Sequence, residues 1–510
     1  MNYHYNLKNF FKDIADRYPD NIALIYPDME YTYRDLDTCS NSIAYFMQAK
    51  GLTQGDVIAI ISTKIFEDYA LMIACLKLGI AYTNIDIDNP KERTFHILNT
   101  CNPKLVFTGI DNKAIKDVCE EQDIEYVIYQ NIKLTANHFR DEDIDGDTIS
   151  YIMFTSGSTG IPKGAAITHQ NIIHFIGWTT SFYDITTEDN FANISPLYFD
   201  NSVFDFYTAL FSGASLTPIT KSLLNRPIEL VNYIDEKKCT IWFSVPSMLI
   251  YMLTMKVLNE NNLKNIRIFT FGGEGFPKSE LKKLYELYKE HAKFINVYGP
   301  TECTCICSSY EITEKDFDNL DSLPPLGQIN QNISYVILKN DNISDEGELC
   351  LLGPNVSKGY YNDQERTRNA FSLYTDKDHY NKIIYRTGDL VEEEDGLLLF
   401  RGRVDNQIKH MGYRIELEEI EVVINSLSEI KQAVATYIRV CDTYGKIVAF
   451  LVPEDKDIDI IEIKKQVYEK LPIYMRPNEF VCLDVFPKNA NGKVDRRQLH
   501  GMYMSGKNNL

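Results

Sequence analysis

The sequence predicts an α/β protein with mainly parallel sheets, followed by a small β-rich module and a compact α+β domain. Three observations carry this. Short apolar runs alternate with amphipathic stretches over most of the length, as in VIAIIST (57–63) before DYALMIACLKLG (68–79) and TIWFSVP (240–246) before SMLIYMLTMKVL (247–258). Strand-then-helix alternation of this kind builds layered parallel sheets. From about 330 to 400 the pattern changes to short strands and turns, SYVILKN, GELCLLG and GLLLFRGR. After Asp405 comes a mixed segment with the strand-like AVATYIRV, KIVAFLVP and NEFVCLDVF and a helix expected near 461–471, about a hundred residues in all.

The 510 residues carry 52 Lys+Arg against 72 Asp+Glu, a formal net charge of -20. Phosphate neutralisation along a nucleic acid needs clustered basic residues, so no nucleic-acid partner is expected. The N-terminal MNYHYNLKNFFKDIADRYPD has acids and no continuous apolar run, unlike a secretory signal, and no uncharged stretch reaches membrane-span length. A cytoplasmic protein without a membrane partner is expected. The 11 cysteines show no disulfide-like framework; Cys303, Cys305 and Cys307 alternate, which predicts one face of a strand packed in an apolar wall rather than a metal site. DEDIDGD (141–147) resembles a calcium loop only superficially, because the twelfth position is Ile152, and it reads as an exposed acidic linker.

Chemistry concentrates in a few loops. In YIMFTSGSTGIPKG (151–164) an apolar strand enters a Gly/Ser/Thr turn that ends near Lys163. Gly157, Gly160 and Gly164 widen the accessible backbone conformations. Hydroxyls of Thr155, Ser156, Ser158 and Thr159, with backbone N–H groups and the lysine, can surround phosphate oxygens. It is not a Walker A loop; a flexible polar turn is the alternative. FINVYGPTEC (294–303) offers the Tyr298 ring to a purine and Glu302 as a hard oxygen ligand for Mg²⁺. YRTGDL (385–390) places Asp389 where a carboxylate can accept from two ribose hydroxyls. GRVDNQIKHMGYRIE (402–416) and NANGKVDRR (489–497) add Gly, Arg and Lys in turns, each of which alone could be a surface turn.

In order and spacing, these segments resemble the adenylate-forming superfamily of nonribosomal peptide synthetase adenylation domains, acyl-CoA synthetases and luciferases. The resemblance runs from TYRDL (32–36) and LKLGIAYTNIDIDNP (76–90) to NGKVDR (491–496). It implies an N-terminal domain of two α/β subdomains plus a distorted β-barrel over 1–404, a hinge at Asp405, and a mobile α+β domain over 405–510. It implies that Thr155, Ser156, Gly157, Ser158, Thr159, Gly160 and Lys163 hold the ATP phosphates. Thr301 and Glu302 serve phosphate and Mg²⁺. Tyr298 stacks on adenine, and Asp389 and Arg403 hold the ribose. Gly273, Glu274, Asn296 and Gly299 belong to the nucleotide site. Lys493 reaches the carboxylate and α-phosphate, and Lys409 and Gly412 lie on the face used for thioester formation. The chemistry is consistent: adenylation joins two anions, so Mg²⁺ and lysines are the expected catalysts and no general base is needed. A mobile domain can offer a different face to each half-reaction.

By the same resemblance, NISPLYFDNSVFDFY (193–207) carries the Asp of amino-acid-activating members, here Asp200, which meets the substrate ammonium. Asn201, Phe204, Phe243, Thr270, Gly272, Val297, Cys305 and Ile306 line that pocket with Lys493. None of the eight wall residues is charged, so a neutral side chain is expected, small or branched aliphatic, with Gly272 leaving room at one wall. NRPIELVNYIDEKKCTIWFSVPSM, FGGEGFP and QIKHMGYRIELEEIE resemble the free-standing D-alanine–carrier protein ligases, but that family has Cys where this chain has Gly272.

The expectation is an AMP-forming acid–thiol ligase that loads the phosphopantetheine of a separate carrier protein, since no carrier segment follows Arg497, and that acts as a monomer. The alternatives are a D-alanine–carrier protein ligase, an acyl-CoA synthetase using free CoA, which lacks the Asp200 equivalent, and a non-catalytic nucleotide-binding scaffold. Lys163, Glu302, Asp389, Arg403 and Lys493 together speak against the last.

Overall fold

Apolar β-branched runs and amphipathic helices sort themselves as the alternation requires. The computed structural model of the protein describes residues 4–132, 139–375, 381–441, 444–455, 458–488 and 494–507. Lys493 lies outside the described residues. Two compact units are formed. One comprises Met1–Ile87, Ile97–Phe154 and Gly164–Val404; the other comprises Asp88–His96, Thr155–Lys163 and Asp405–Leu510.

Among the described residues of the first unit, a nine-stranded sheet runs in the order Gln328–Ile329, Ser308–Glu311, Lys293–Tyr298, Ile268–Gly272, Ile241–Ser244, Asn190–Asn193, Ser215–Pro218, Ile22–Ile25, Glu30–Thr32. Its centre is parallel, and the pairs at its two ends are antiparallel. The second layered sheet is centred on Val57–Ser62, every residue of which is buried. Parallel neighbours Leu105–Thr108 and Ala81–Asp86 flank it. The fully buried strand and the nearly all-buried helix Phe66–Leu78 that follows it account for the VIAIIST and DYALMIACLKLG runs. Between 334 and 403 the strands Ser334–Lys339, Glu346–Leu352, Phe371–Thr375, Asn381–Glu394 and Leu397–Arg403 form an antiparallel sheet. Tyr360, Phe371, Tyr385 and Leu349 make its core.

In the second unit, Ile430–Cys441, Tyr444–Pro453 and Glu479–Cys482 form a three-stranded sheet. The helices Leu417–Asn425 and Ile460–Lys470 pack apolar residues against it. A two-stranded hairpin, Gln407–His410 with Tyr413–Glu416, precedes them; Met411 (φ 52°) and Gly412 (φ 80°) form its tight left-handed turn.

The acidic stretch 141–147 is a loop whose aspartates are exposed while Ile144 is buried. Among the described residues no helix is long and apolar enough to cross a membrane.

A buried imidazole ties the N-terminal helix Leu7–Arg17 to the helix His169–Phe182. His169 is fully buried, and its Nδ1 accepts from the Leu7 N–H at 3.0 Å. Burial pushes its pKa down to about 3. The unfolded chain therefore takes up a proton below about pH 6.5 that the folded chain refuses, so this contribution is complete above that pH and fades as pH falls. Between about pH 6.5 and pH 4.5 the wild type should lose about 2 kcal/mol from this group. Urea unfolding of His169→Asn across that window should show a curve flatter by one proton; equal slopes would exclude the assignment.

Candidate functional site

Within the first unit, the residues predicted to meet substrate and nucleotide gather around one reversal of the chain. The strand Lys293–Tyr298 ends at Gly299, where a Cβ would lie 2.1 Å from the Cys305 carbonyl oxygen. Only glycine permits that approach. Thr304 (φ 58°) and Cys305 (φ 69°) are both left-handed, which turns the chain back so that the Cys307 N–H donates to the Tyr298 carbonyl at 2.7 Å. Cys303, Cys305 and Cys307 are thus not one face of a strand. Cys303 and Cys307 enter the core of the 334–403 sheet, while Cys305 joins the larger core of the unit. All three are buried, as expected of an apolar wall.

The reversal fixes three polar side chains. Thr301 Oγ1 donates to Asp200 Oδ2 at 2.5 Å. Asp200 stands immediately before the helix Asn201–Leu210 and makes no side-chain cap there. Glu302 is fully buried; its Oε1 accepts from the Tyr360 hydroxyl at 2.7 Å. On the other side, the Tyr298 hydroxyl donates to Asp389 Oδ2 at 2.6 Å, and the Arg403 guanidinium donates to Asp389 Oδ1 at 2.6 Å. Asp389 and Arg403 are register partners on adjacent antiparallel strands. Burial, then the Asp389 charge, raises the Tyr298 hydroxyl well above its ordinary range, so it stays a donor. The Tyr298 ring is only 5% exposed, and its directed contact is the hydroxyl.

The expected pocket residues also assemble. Asn201 and Phe204 lie one turn apart on the helix that Asp200 precedes. Phe243 and Thr270 are register partners, and Phe204 meets Phe243 edge-on at 5.4 Å. Val297, Cys305 and Ile306 are buried in the same core. Gly272 departs from expectation. A Cβ there would meet the Val297 carbonyl oxygen at 2.5 Å and Val297 Cγ2 at 2.7 Å. The glycine permits close strand packing; it does not leave room, so it says nothing of side-chain size. Gly273 is left-handed (φ 88°), Glu274 Oε1 accepts from the Ser247 N–H at 2.7 Å, and Asn296 Nδ2 donates to the Pro325 carbonyl at 2.7 Å.

Within the second unit, the loop Thr155–Lys163 is held by acceptors from the 405–425 region. The Gly157 N–H donates to Glu419 Oε2 at 3.1 Å, and Lys163 Nζ lies 3.5 Å from Glu416 Oε1. Ser156 Oγ donates to the Arg414 carbonyl at 2.7 Å. Ser158 and Thr159 are exposed, and Gly160 is left-handed (φ 82°). Thr155 Oγ1 is buried and has no partner among the described residues. Glu416 also accepts from Gln407 Nε2 at 2.6 Å, and Glu419 pairs with the buried Arg93. Burial holds the Glu419 carboxyl above its ordinary range despite that arginine. Asp405 Oδ1 accepts from the Gln407 N–H at 3.2 Å, Lys409 lies on the hairpin and Gly412 in its turn. The loop is therefore an anion-accepting element: its N–H and ammonium groups already face carboxylate oxygens.

Sequence reasoning missed Tyr360, Arg93, Glu416 and Glu419 as partners of these groups, and Tyr183, whose ring lies 4.9 Å from Phe204. Each is distant in sequence from the residue it serves, and no local pattern marks it.

Comparison with known proteins follows the same lines. The family model for AMP-binding enzymes matches residues 11–361, and that for the AMP-binding enzyme C-terminal domain matches 419–493. A D-alanine–D-alanyl carrier protein ligase of Bacillus mycoides is 32% identical over 494 residues, covering 94% of this chain and 96% of that protein. One from Bacillus cereus is equally similar. Among solved structures, a Vibrio cholerae adenylation domain in complex with glycyl-adenosine-5′-phosphate superposes with a TM-score of 0.83 at 21% identity, over 99% of each chain. A fused adenylation–carrier di-domain from Klebsiella oxytoca gives 0.81 at 22%, over 94% of each.

Removing one partner of a buried ion pair strands the other charge, typically at about 3–5 kcal/mol. Arg93→Ala should therefore destabilise the second unit by about 3 kcal/mol in urea unfolding. A loss below about 1 kcal/mol would show that Glu419 is satisfied without Arg93.

Proposed function

Because this chain belongs to the family of AMP-binding enzymes, we propose that it uses ATP to activate the carboxylate of a neutral amino acid as an acyl-adenylate and then transfers the acyl group to the phosphopantetheine thiol of a carrier protein. The observation that supports this most directly is the hydrogen bond from Thr301 to Asp200. It joins the carboxylate suited to a substrate ammonium to the turn that carries Glu302. The D-alanine–carrier protein ligases it resembles over nearly their whole length support the choice of thiol.

The chain's own groups suit the two steps. In the first, a carboxylate oxygen of the substrate attacks the α-phosphorus and pyrophosphate leaves. The nucleophile is already an anion, so the protein's task is positioning and charge compensation. Asp200 orients the amino acid through its ammonium. The donors of Thr155–Lys163, which face carboxylate oxygens at Gly157 and Lys163, receive phosphate oxygens instead. Tyr298, Asp389 and Arg403 hold the nucleoside, and Lys493 serves the crowded anion. Mg²⁺ fits Glu302: its carboxylate is a hard oxygen donor, oriented by Tyr360. When bound, the ion neutralises phosphate charge. In the second step the thiol attacks the acyl carbon and AMP leaves, with Lys409 and Gly412 on the face that serves it and Asp405 as the hinge.

An acyl-CoA synthetase reading is disfavoured by Asp200, an anion placed for a cation that fatty and aryl acids lack.

ATP–pyrophosphate exchange should be stimulated by one or a few neutral amino acids and not by fatty or aryl acids; the reverse overturns the proposal. Asp200→Ala should lower kcat/KM for the amino acid by about 100-fold or more, the scale of an unpaired buried ammonium. Lys493→Ala should lower exchange by at least about 100-fold with little change in amino-acid affinity, the signature of a group acting in the transition state.

A further inference from the structure

The carboxylate proposed to meet the substrate ammonium stands at the end of an irregular segment. Residues 194–200 join the strand Asn190–Asn193 to the helix Asn201–Leu210, and Asp200 is the last of them. Thr301 holds the Asp200 side chain. The start of the segment is held by a lysine from the other layered sheet.

Lys64 lies between the strand Val57–Ser62 and the helix Phe66–Leu78 and is 6% exposed. Its ammonium donates to the Asn193 carbonyl at 2.6 Å and to the Ile194 carbonyl at 3.1 Å. The Asn193 side chain is engaged at both ends. Its Oδ1 accepts from the Tyr69 hydroxyl at 2.8 Å, and its Nδ2 donates to Asp205 Oδ2 at 3.0 Å. Tyr69, Asn193 and Asp205 are buried as well. Asp205 belongs to the helix that Asp200 precedes, so one buried cluster meets the chain on both sides of 194–200.

The cluster is costly. Burial opposes charge on Lys64 and on Asp205, and each favours the charged form of the other. Apolar residues of similar volume would pack there without that penalty. The backbone is strained too: Lys64 is left-handed (φ 62°), a conformation disfavoured for a residue with a Cβ. Asp68 braces it, accepting from the Thr63 N–H at 2.8 Å and the Ile65 N–H at 3.3 Å, while its other oxygen takes the Tyr129 hydroxyl at 3.0 Å. Strain and buried charge on one residue point to a task other than stability. Two consecutive carbonyls gripped by one ammonium cannot turn freely, so the direction in which the chain leaves the strand toward Asp200 is set.

We infer that Lys64 is a positioning residue for amino-acid recognition: by holding the Asn193 and Ile194 carbonyls, while Tyr69 and Asp205 hold the Asn193 side chain, it sets where Asp200 meets the substrate ammonium. The inference rests on the amino-acid-activating reading above and names a residue that serves it without touching substrate. Positioning of this kind matters, because a misplacement of about 1 Å can cost about 100-fold in rate.

Lys64→Met keeps a long side chain and removes the ammonium. In ATP–pyrophosphate exchange it should raise KM for the amino acid by about tenfold or more, the scale of hydrogen bonds from a charged donor. KM for ATP should stay within about twofold, since the nucleotide contacts are untouched. Tyr69→Phe removes one hydroxyl from the same grip and leaves the core filled. It should raise the amino-acid KM by about threefold or more, and it decides the question if Lys64→Met does not fold. Urea unfolding of each variant separates the two roles: a residue serving stability alone would lower the midpoint and leave the ratio of the two KM values unchanged. Equal shifts in both KM values, or an unchanged amino-acid KM in the folded variant, would overturn the inference and leave the amino-acid reading standing. If the wild type responds only to acids without an amino group, that reading falls and the inference falls with it.

Discussion

The close approach of Gly299 to the Cys305 carbonyl is the constraint on which the first unit's polar groups depend. Without it the chain could not reverse within a few residues, and the two left-handed residues Thr304 and Cys305 would have no reason to be strained. The reversal sends Thr301 toward Asp200, buries Glu302 under Tyr360, and leaves the Tyr298 hydroxyl pointing at Asp389. Three carboxylates are thereby oriented from one strand end. A side chain at position 299 would displace all of them together.

The buried carboxylates Asp389 and Glu419 are each matched, and the matching is directional rather than generous. Asp389 receives the Tyr298 hydroxyl on one oxygen and Arg403 on the other. Glu419 receives Arg93 and the Gly157 N–H. Such pairs add little net stability over apolar packing, because desolvation offsets most of the attraction. They do fix orientation: a carboxylate held on both oxygens cannot rotate, and a guanidinium so engaged presents one edge. The fold keeps them as positioned charges, not as sources of stability.

The sequence disclosed the elements well and the site in part. The runs around 57–79 and 240–258 became the strands and helices their patterns require, because burial alone decides them. The Gly-rich and YGPTE turns were legible because their chemistry is local. The alternating cysteines misled, since alternation implies one face only when every φ is extended, and Thr304 and Cys305 are not. Gly272 misled for a related reason: an absent side chain looks like space until the opposing strand is placed, and Val297 fills it. Tyr183, Tyr360 and Arg93 were invisible because their partners lie tens to hundreds of residues away and nothing in their neighbourhoods is unusual.

The anion-accepting loop raises a last energetic point. Its Gly157 N–H and Lys163 ammonium are engaged by Glu419 and Glu416, so under the function proposed above a phosphate would exchange places with carboxylates rather than meet bare donors. Binding energy is then a difference between two anion contacts, smaller than either alone. The exchange is biased by what each carboxylate has in reserve. Glu416 keeps Gln407 and Glu419 keeps Arg93 when the loop lets go, so neither is stranded. In a chain with a net charge of -20, positive groups are scarce. Held on internal carboxylates that retain a second partner, they would let a bound phosphate go without stranding either anion, if the loop acts as proposed above.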